Sequence, residues 1–338
     1  MKASVYLRKE QVELQDLVVP ELGADEVLIQ VSRAGLCGTD LHIYQGHMDQ
    51  RVQTPLVMGH EMCGEIVEAP SGANVQVGDR VVVEPLVWCG ACPACRRGHR
   101  HICQNLNFLG IDSPGAFQAY WNVPVDRLHK VPEGLSDEAG ALMEPLAVAV
   151  HDVRRAGVEL GDRAVVIGGG PIGMLVAVAA RMDGGEVVIS EVNPFRIQKA
   201  QELGFEVVDP NAQDLVKVVE EWTDGAGADL VFEVSGHPAG AKVMTELARA
   251  RGTICLVGVH AEPPPVDLQR FFWRELHLTG CRVYESVDFE RAIRVAASGA
   301  IDPTVLVTDT LPLAEAGRGF EQMMGGGDVM KVLLDCQT

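Results

Sequence analysis

Gly168-Gly169-Gly170-Pro171-Ile172-Gly173 stands between two apolar runs of different period, and no other stretch limits the fold so strongly. Before it, Ala164-Val165-Val166-Ile167 is short, rich in β-branched residues and uncharged; after it, Ile172 to Met182 is apolar but for Arg181 over the length of a helix. A strand that turns into a helix over glycines is a unit of a parallel sheet, because parallel neighbours need a helical crossover. The alternation continues with Glu186 to Ser190 as strand and Pro194 to Leu203 as helix. Asp229 to Val234, Gly252 to Gly258 and His277 to Gly280 follow as further strands. Residues 147–284 are therefore expected to form an α/β unit, a parallel sheet covered on both faces.

The same turn carries chemistry. Without side chains at Gly168, Gly170 and Gly173, the backbone can approach a pyrophosphate whose charge is met by N–H groups where the helix opens at Pro171 and Ile172. Glu191 ends the next strand about 20 residues on, where a carboxylate accepts hydrogen bonds from ribose hydroxyls and repels a 2′-phosphate. That favours NAD over NADP. The alternative is a tight strand-to-helix turn with no ligand. Arg196 reads either as a group lying along the adenine or as an ordinary solvated helix arginine.

Residues 1 to about 130 have another texture, with short β-type runs such as Glu26 to Val31 and Arg80 to Val83 separated by Gly, Pro and Asp. A chain of 338 residues also exceeds the size at which a single core keeps growing. Helical pattern begins at Pro145, and the tail from about 285 holds a helix, Phe289 to Ser298, and a strand, Val329 to Leu334. The tail is expected to rejoin the first domain, giving 1–146 with 285–338 as a mostly-β domain and 147–284 as the α/β domain. Gly325-Gly326-Gly327 reads as a loop.

Lys+Arg 28 against Asp+Glu 47 gives a net charge of -19, which argues against polyanions such as nucleic acid as partners. Met1-Lys2-Ala3-Ser4-Val5-Tyr6 lacks the apolar run of an export signal, so the cytoplasm is the expected compartment. The longest uncharged stretch, Ala164 to Ala180, is interrupted by glycines and a proline and reads as strand, turn and helix rather than a membrane span. Nine cysteines in that setting point to metal ligation or thiol chemistry before disulfides.

Cys89, Cys92, Cys95 and Cys103 are spaced C-x2-C-x2-C-x7-C in a loop rich in Gly, Pro and Arg. Four thiolates in so short a loop can close a tetrahedral shell around Zn²⁺, leaving no open position, so this zinc is expected to be structural. An iron–sulfur cluster prefers other spacings and a proline after the last cysteine, where this chain has Gln104.

Cys37, His60, Glu61 and Glu144 are the remaining candidate ligands, and a catalytic zinc takes about three protein ligands plus one open position. Taken singly, Cys37 fits a buried small hydrophobe, His60 a core histidine and Glu144 a cap for the following helix. Their neighbours favour the site. Thr39 can take a proton from an alcohol and His42 can pass it to solvent, while Asp40 can accept the second ring N–H of His60. Cys63, Cys255, Cys281 and Cys336 lack such company and read as structural thiols.

Gly35-Leu36-Cys37-Gly38-Thr39-Asp40-Leu41-His42, Gly59-His60-Glu61, the cysteines from Cys89 to Cys103 and the turn from Gly168 to Gly173 together resemble the zinc-dependent medium-chain dehydrogenases. The resemblance spans the whole chain, and Met143-Glu144-Pro145-Leu146 with Glu191 makes it most similar to the polyol and threonine dehydrogenase branch. Where ordinary alcohol dehydrogenases carry a cysteine this chain has Glu144, so the third ligand would be a carboxylate; Glu61 and Glu144 both match positions that approach the metal.

The resemblance implies a GroES-like catalytic domain, a Rossmann domain with the active site in the cleft between the two, and a homo-dimer or homo-tetramer. It implies two zinc ions per subunit and NAD, with the nicotinamide near Val257, Gly258 and Val259 and the start of Cys281 to Tyr284. The implied reaction is reversible oxidation of a secondary alcohol to a ketone, on a polyol, sugar or sugar acid, with L-threonine as the nearest rival. Tyr44, Phe117, Arg282 and Tyr284 are substrate candidates by position. A non-catalytic dinucleotide-binding protein is the alternative of another class, and the complete set of ligand and relay residues speaks against it.

Overall fold

Val27, Ile29 and Val31 alternate inward along the strand Glu26–Gly35 and are fully buried, the period-2 pattern of a strand with one face on a core. This strand organises the first half of the molecule. It pairs antiparallel with Glu61–Glu68, with Tyr120–Pro124 and with the C-terminal strand Lys331–Asp335, inside a seven-stranded sheet. The tail therefore returns to the N-terminal half, and the strand Val307–Pro312 extends the sheet by pairing parallel to Lys331–Asp335. The register at Gly35 matters most: it lies opposite both Glu61 and Leu333.

The structure, a computed structural model, describes residues 1–338 and divides into two units, Met1–Pro145 with Glu285–Thr338, and Leu146–Tyr284. In the second unit, six strands run parallel in the spatial order Glu206–Val208, Glu186–Ser190, Arg163–Ile167, Ala228–Glu233, Ala248–Leu256, His277–Gly280. Val165, Val166, Val231, Phe232 and Ile254 are completely buried, as strands covered on both faces require. Arg163–Ile167 neighbours both the strand that follows it and a strand from much later in the chain. The crossovers reverse direction there and leave a crevice at the strands' carboxyl ends.

The structure adds elements that periodicity did not reveal. Helices Leu215–Trp222 and Pro238–Leu247 complete the crossovers, and Ala316–Gly325 forms a helix beside the C-terminal strands. Gly325 thus ends a helix instead of lying in a loop, and Gly326, at φ +63, is the left-handed residue that stops it. The strand expected from Gly252 begins at Ala248. No helix is long and apolar enough to cross a membrane.

Candidate active site and metal centres

The Gly35 register builds the first site. The carboxylate of Glu61 folds across the face of Gly35, in space that a Cβ at that position would occupy. Cys37 then ends the extended segment as the N-cap of helix Gly38–Tyr44, its sulfur accepting the Thr39 N–H at 3.5 Å. Asp40 completes the cap: its Oδ2 accepts the Cys37 N–H at 3.0 Å, and its Oδ1 lies 3.4 Å from His60 Nδ1. One buried carboxylate thus steadies two prospective ligands, leaving His60 Nε2 as the ligating nitrogen.

Ligand atoms of Cys37, His60 and Glu61 all lie within 4.8 Å of one another. Buried beside them, Asp40 Oδ1 faces His60 Nδ1 at 3.4 Å and Glu61 Oε2 faces the Lys331 ammonium at 2.5 Å, ion-pair contacts that fall outside hydrogen-bond geometry. Buried polar atoms paired in this way leave room for a further partner. Although burial opposes the charged form of His60, the neighbouring Asp40 and Cys37 raise its pKa well above the ordinary value. A pocket that draws a proton this strongly suits a cation, and the sulfur, nitrogen and oxygen donors suit zinc. Glu144 is buried at the start of helix Met143–Ala156 and lies outside this group of three.

Lys331 was not singled out from the sequence. Its Nζ donates to the Leu36 carbonyl at 2.8 Å and lies 2.5 Å from Glu61 Oε2, with its side chain only 5% exposed. Burial works against the ammonium, yet Glu61 and Cys37 raise its pKa. The available signal was a lone lysine in the otherwise apolar Met330 to Leu334. Thr39 and His42 share a helix face at i, i+3, and His42 Nδ1 lies 3.4 Å from Nδ1 of the exposed His47. Burial and the nearby His47 lower the pKa of His42.

Two of the substrate candidates have packing roles. Tyr44 stacks on Phe320 with ring centroids 4.7 Å apart, and Phe117 is completely buried against the same ring. Both are core residues of their unit. Tyr284 is also completely buried, while Arg282 is exposed.

Sulfurs of Cys89, Cys92, Cys95 and Cys103 form the second centre, again within 4.8 Å of one another. The N–H groups of Cys92, Cys95, Gln104 and Asn105 point at these sulfurs over 3.3–3.5 Å, donors that favour thiolates. Backbone N–H groups of Ala91 and Cys92 hold the Cys89 pKa down to about 6. Cys95 goes the other way, pushed up to about 12 by burial and by the Cys92 and Cys103 thiols, so a cation would be needed to bring all four to the thiolates that close a shell.

In the parallel sheet, Gly168 takes φ +103, and a Cβ on Gly173 would fall onto the Gly168 carbonyl. The helix Pro171–Met182 opens at Gly170 with no side-chain cap. Arg196 reaches toward this turn, and its buried Nε has no partner. A cavity of about 800 Å³ adjoins the turn, lined among others by Gly168, Gly170, Glu191 and Arg196. Uncapped N–H groups, an unmatched guanidinium nitrogen and this volume fit a dinucleotide phosphate with its adenosine. Glu191 does more than end a strand: it accepts N–H bonds from Gly169, Val192 and Asn193 at 2.7–2.8 Å, tying the turn to the next strand.

Further along the sheet, Val257 and Gly258 donate their N–H groups to the Glu233 carbonyl, Val259 is 77% exposed and Cys281 is half-buried. Glu233, fully buried, receives Ser235 and lies 3.1 Å from His260 Nε2. Its place at the end of Leu230 to Glu233 was the signal that sequence reading passed over.

Residues 23–133 match the model of the alcohol dehydrogenase GroES-like domain, and residues 171–298 match that of the zinc-binding dehydrogenase. Across 322 residues, 95% of this chain and 94% of the relative, the sequence is 49% identical to the 2-dehydro-3-deoxy-L-galactonate 5-dehydrogenase of Pseudoalteromonas atlantica. The chain belongs to the zinc-dependent medium-chain dehydrogenases. Within this family it is also 34% identical to a sorbitol dehydrogenase of Halalkalibacterium halodurans, over 95% of this chain and 94% of that one. The L-idonate 5-dehydrogenase of Escherichia coli K-12 superposes with a TM-score of 0.90 at 28% identity, covering 99% and 97% of the two chains. This zinc-dependent dehydrogenase therefore combines a GroES-like unit with a Rossmann unit and is an enzyme of NAD-linked secondary alcohol oxidation.

Proposed function

We propose that the substrate is a sugar acid whose secondary hydroxyl is oxidised to the ketone, and that Cys37, His60 and a carboxylate, Glu61 or Glu144, hold the catalytic zinc. The observation that carries the reading is the buried three-ligand group, with Asp40 and Lys331 paired to two of its members, beside a threonine and a histidine on one helix face. The sugar-acid preference is supported by the 49% identity to a sugar-acid 5-dehydrogenase, against 34% to a sorbitol dehydrogenase.

When bound, zinc supplies a Lewis acid that makes a hydroxyl more acidic, and NAD supplies a hydride acceptor. The protein does the rest. Asp40 fixes the orientation of Cys37 and His60 through its two oxygens. Thr39 Oγ1 accepts the hydroxyl proton while passing on its own, and His42, kept neutral by its lowered pKa, takes it toward His47 and water. Lys331 balances Glu61, so that this carboxylate need not compete for the metal in every state. In the Rossmann unit, Gly168 to Gly173 and Arg196 receive the pyrophosphate, Glu191 keeps the turn closed and faces the ribose, and Val257, Val259 and Cys281 adjoin the nicotinamide.

A structural zinc on the four cysteines and a cytoplasmic setting complete the reading, supported by nine cysteines in the free thiol form, four of them gathered in one metal-sized cluster. A homo-oligomer is supported by the edge strand His277–Gly280, whose Leu278 is 51% exposed, and by Phe272 and Trp273, 74% and 77% exposed on the helix before it.

NAD reduction by the zinc-loaded enzyme, measured against hexonates and 3-deoxy-hexulosonates, polyols and L-threonine, tests the substrate. The expected result is a kcat/KM for a sugar acid at least about tenfold above sorbitol and L-threonine. Equal or greater turnover of L-threonine would overturn the sugar-acid reading.

A further inference from the structure

Two thiols at the carboxyl end of the parallel sheet have no thiol chemistry assigned so far, although one of them, Cys281, is placed beside the nicotinamide. Cys255 belongs to strand Ala248–Leu256 and pairs in register with Thr279 of strand His277–Gly280. Cys281 is two positions beyond Thr279, hence on the same sheet face, and its N–H is fixed to the Leu256 carbonyl at 3.0 Å. The sulfurs of Cys255 and Cys281 stand 3.2 Å apart. Cys255 is completely buried, with its thiol 3.8 Å from the Asp152 carbonyl; Cys281 is half-buried and reachable. Two further residues, Cys63 and Cys336, are buried thiols without a second sulfur recorded beside them, so this pair differs in kind.

We propose that Cys255 and Cys281 form a dithiol that hydroperoxides oxidise to a disulfide, weakening dinucleotide binding. The asymmetry of the pair assigns the roles. Cys281 attacks because it is the more accessible of the two and its pKa is pushed down to about 7, first by the bond from the Cys255 thiol and, against burial, by His151 and Arg155. Arg155 is held there by its bond to Thr279 Oγ1 at 3.2 Å. Burial and the neighbouring Cys281 raise the pKa of Cys255, which makes it the resolving thiol.

The chemistry balances in two steps. The Cys281 thiolate attacks one peroxide oxygen, the S–O bond forms as the O–O bond breaks, and the departing oxygen leaves as water, or as an alcohol from an organic hydroperoxide. Cys255 then loses its proton and attacks the Cys281 sulfur; the S–S bond forms, the S–O bond breaks and a second water leaves. The dithiol gives up two electrons and the peroxide takes them.

The bridge would lock the backbone at Cys255, next to the strand's last residue Leu256, to the backbone just beyond Gly280, at the strand ends where a doubly wound sheet receives its ligand. This consequence rests on the nicotinamide placement proposed above; the thiol chemistry does not.

The test uses the full-length, zinc-loaded protein. After hydrogen peroxide, alkylation and digestion, peptides of Cys255 and Cys281 should appear joined with the loss of two hydrogens, reversibly with dithiothreitol. In Cys255→Ser the joined peptide should vanish and dimedone should label Cys281. The KM for NAD should rise about tenfold on oxidation, with zinc still bound to Cys89 and its partners. A Cys281 that remains free and alkylatable overturns the dithiol, whether or not any alcohol is turned over. A disulfide that forms with no change in KM, or with a change only when zinc is released, overturns the switch.

Discussion

The two proposed metal centres of this dehydrogenase are assembled on opposite plans. Cys89 to Cys103 come from one loop, and the sulfurs of Cys89, Cys92 and Cys103 receive N–H bonds from that loop's own backbone. Cys37, at a helix N-cap, and His60 and Glu61, where a strand begins, meet through the register at Gly35, and the buried polar atoms beside them are met only by ion pairs, Asp40 with His60 and Lys331 with Glu61. The first arrangement completes a shell; the second keeps a side open and holds its donors with groups brought from afar, including Lys331 from the last strand. Closure by local backbone suits a structural ion, whereas an open side with long-range support suits chemistry.

The sharpest break between the two should come from Cys37→Ser. It should cost roughly a thousandfold or more in turnover while one zinc per subunit remains, on the four cysteines, by metal analysis. Retained turnover would remove Cys37 from the ligand set. Cys92→Ser should do the reverse, lowering stability by on the order of 3–5 kcal/mol in denaturant unfolding while the metal at the open site stays bound.

Lys331→Met probes the long-range support. Removing one partner of a buried pair should destabilise the zinc-free protein by about 3 kcal/mol, and the zinc-loaded protein by less, because a bound cation also compensates Glu61. An equal loss in both forms would separate Lys331 from the metal site. Glu191→Ala should raise the KM for NAD about tenfold, with little change in the KM for the alcohol, since Glu191 holds the glycine turn as well as facing the ribose.

The smallest expected effect concerns His42. Burial, then the charge of His47, lowers its pKa, so His42 is the neutral proton acceptor above that value and loses this capacity as pH falls through it. His47→Gln removes the second cause, leaving burial. The His42 pKa should therefore rise, moving the acid limb of the pH–kcat profile to higher pH; a move to lower pH would show that His47 does not act on the relay.

How far each centre could be read from sequence follows from the same contrast. The cysteine loop is legible because its spacing is its geometry. The parallel sheet is legible too, since Val165, Val166 and Ile167 followed by glycines leave few alternatives. For the open site, Cys37, Thr39, His42, His60 and Asp40 could be named by residue type and neighbours. That Gly35 lies opposite both Glu61 and Leu333 is a property of pairing register, and so Lys331 stayed hidden among apolar residues. Tyr44 and Phe117 show the converse. Position put them forward as substrate contacts, but both pack in the core against Phe320, Tyr44 stacked on its ring and Phe117 tilted to it. Helix Ala316–Gly325 escaped because glycines at Gly317, Gly319 and Gly325 mask its period.

Graded chelation tests the division of labour between the two centres most directly, with released zinc, NAD reduction and thermal unfolding followed on the same sample. The account predicts that turnover disappears with about the first zinc per subunit while the unfolding temperature changes little, and that the unfolding temperature falls as the second zinc leaves. Turnover that survives the first zinc and vanishes only with the second, together with the unfolding transition, would contradict it.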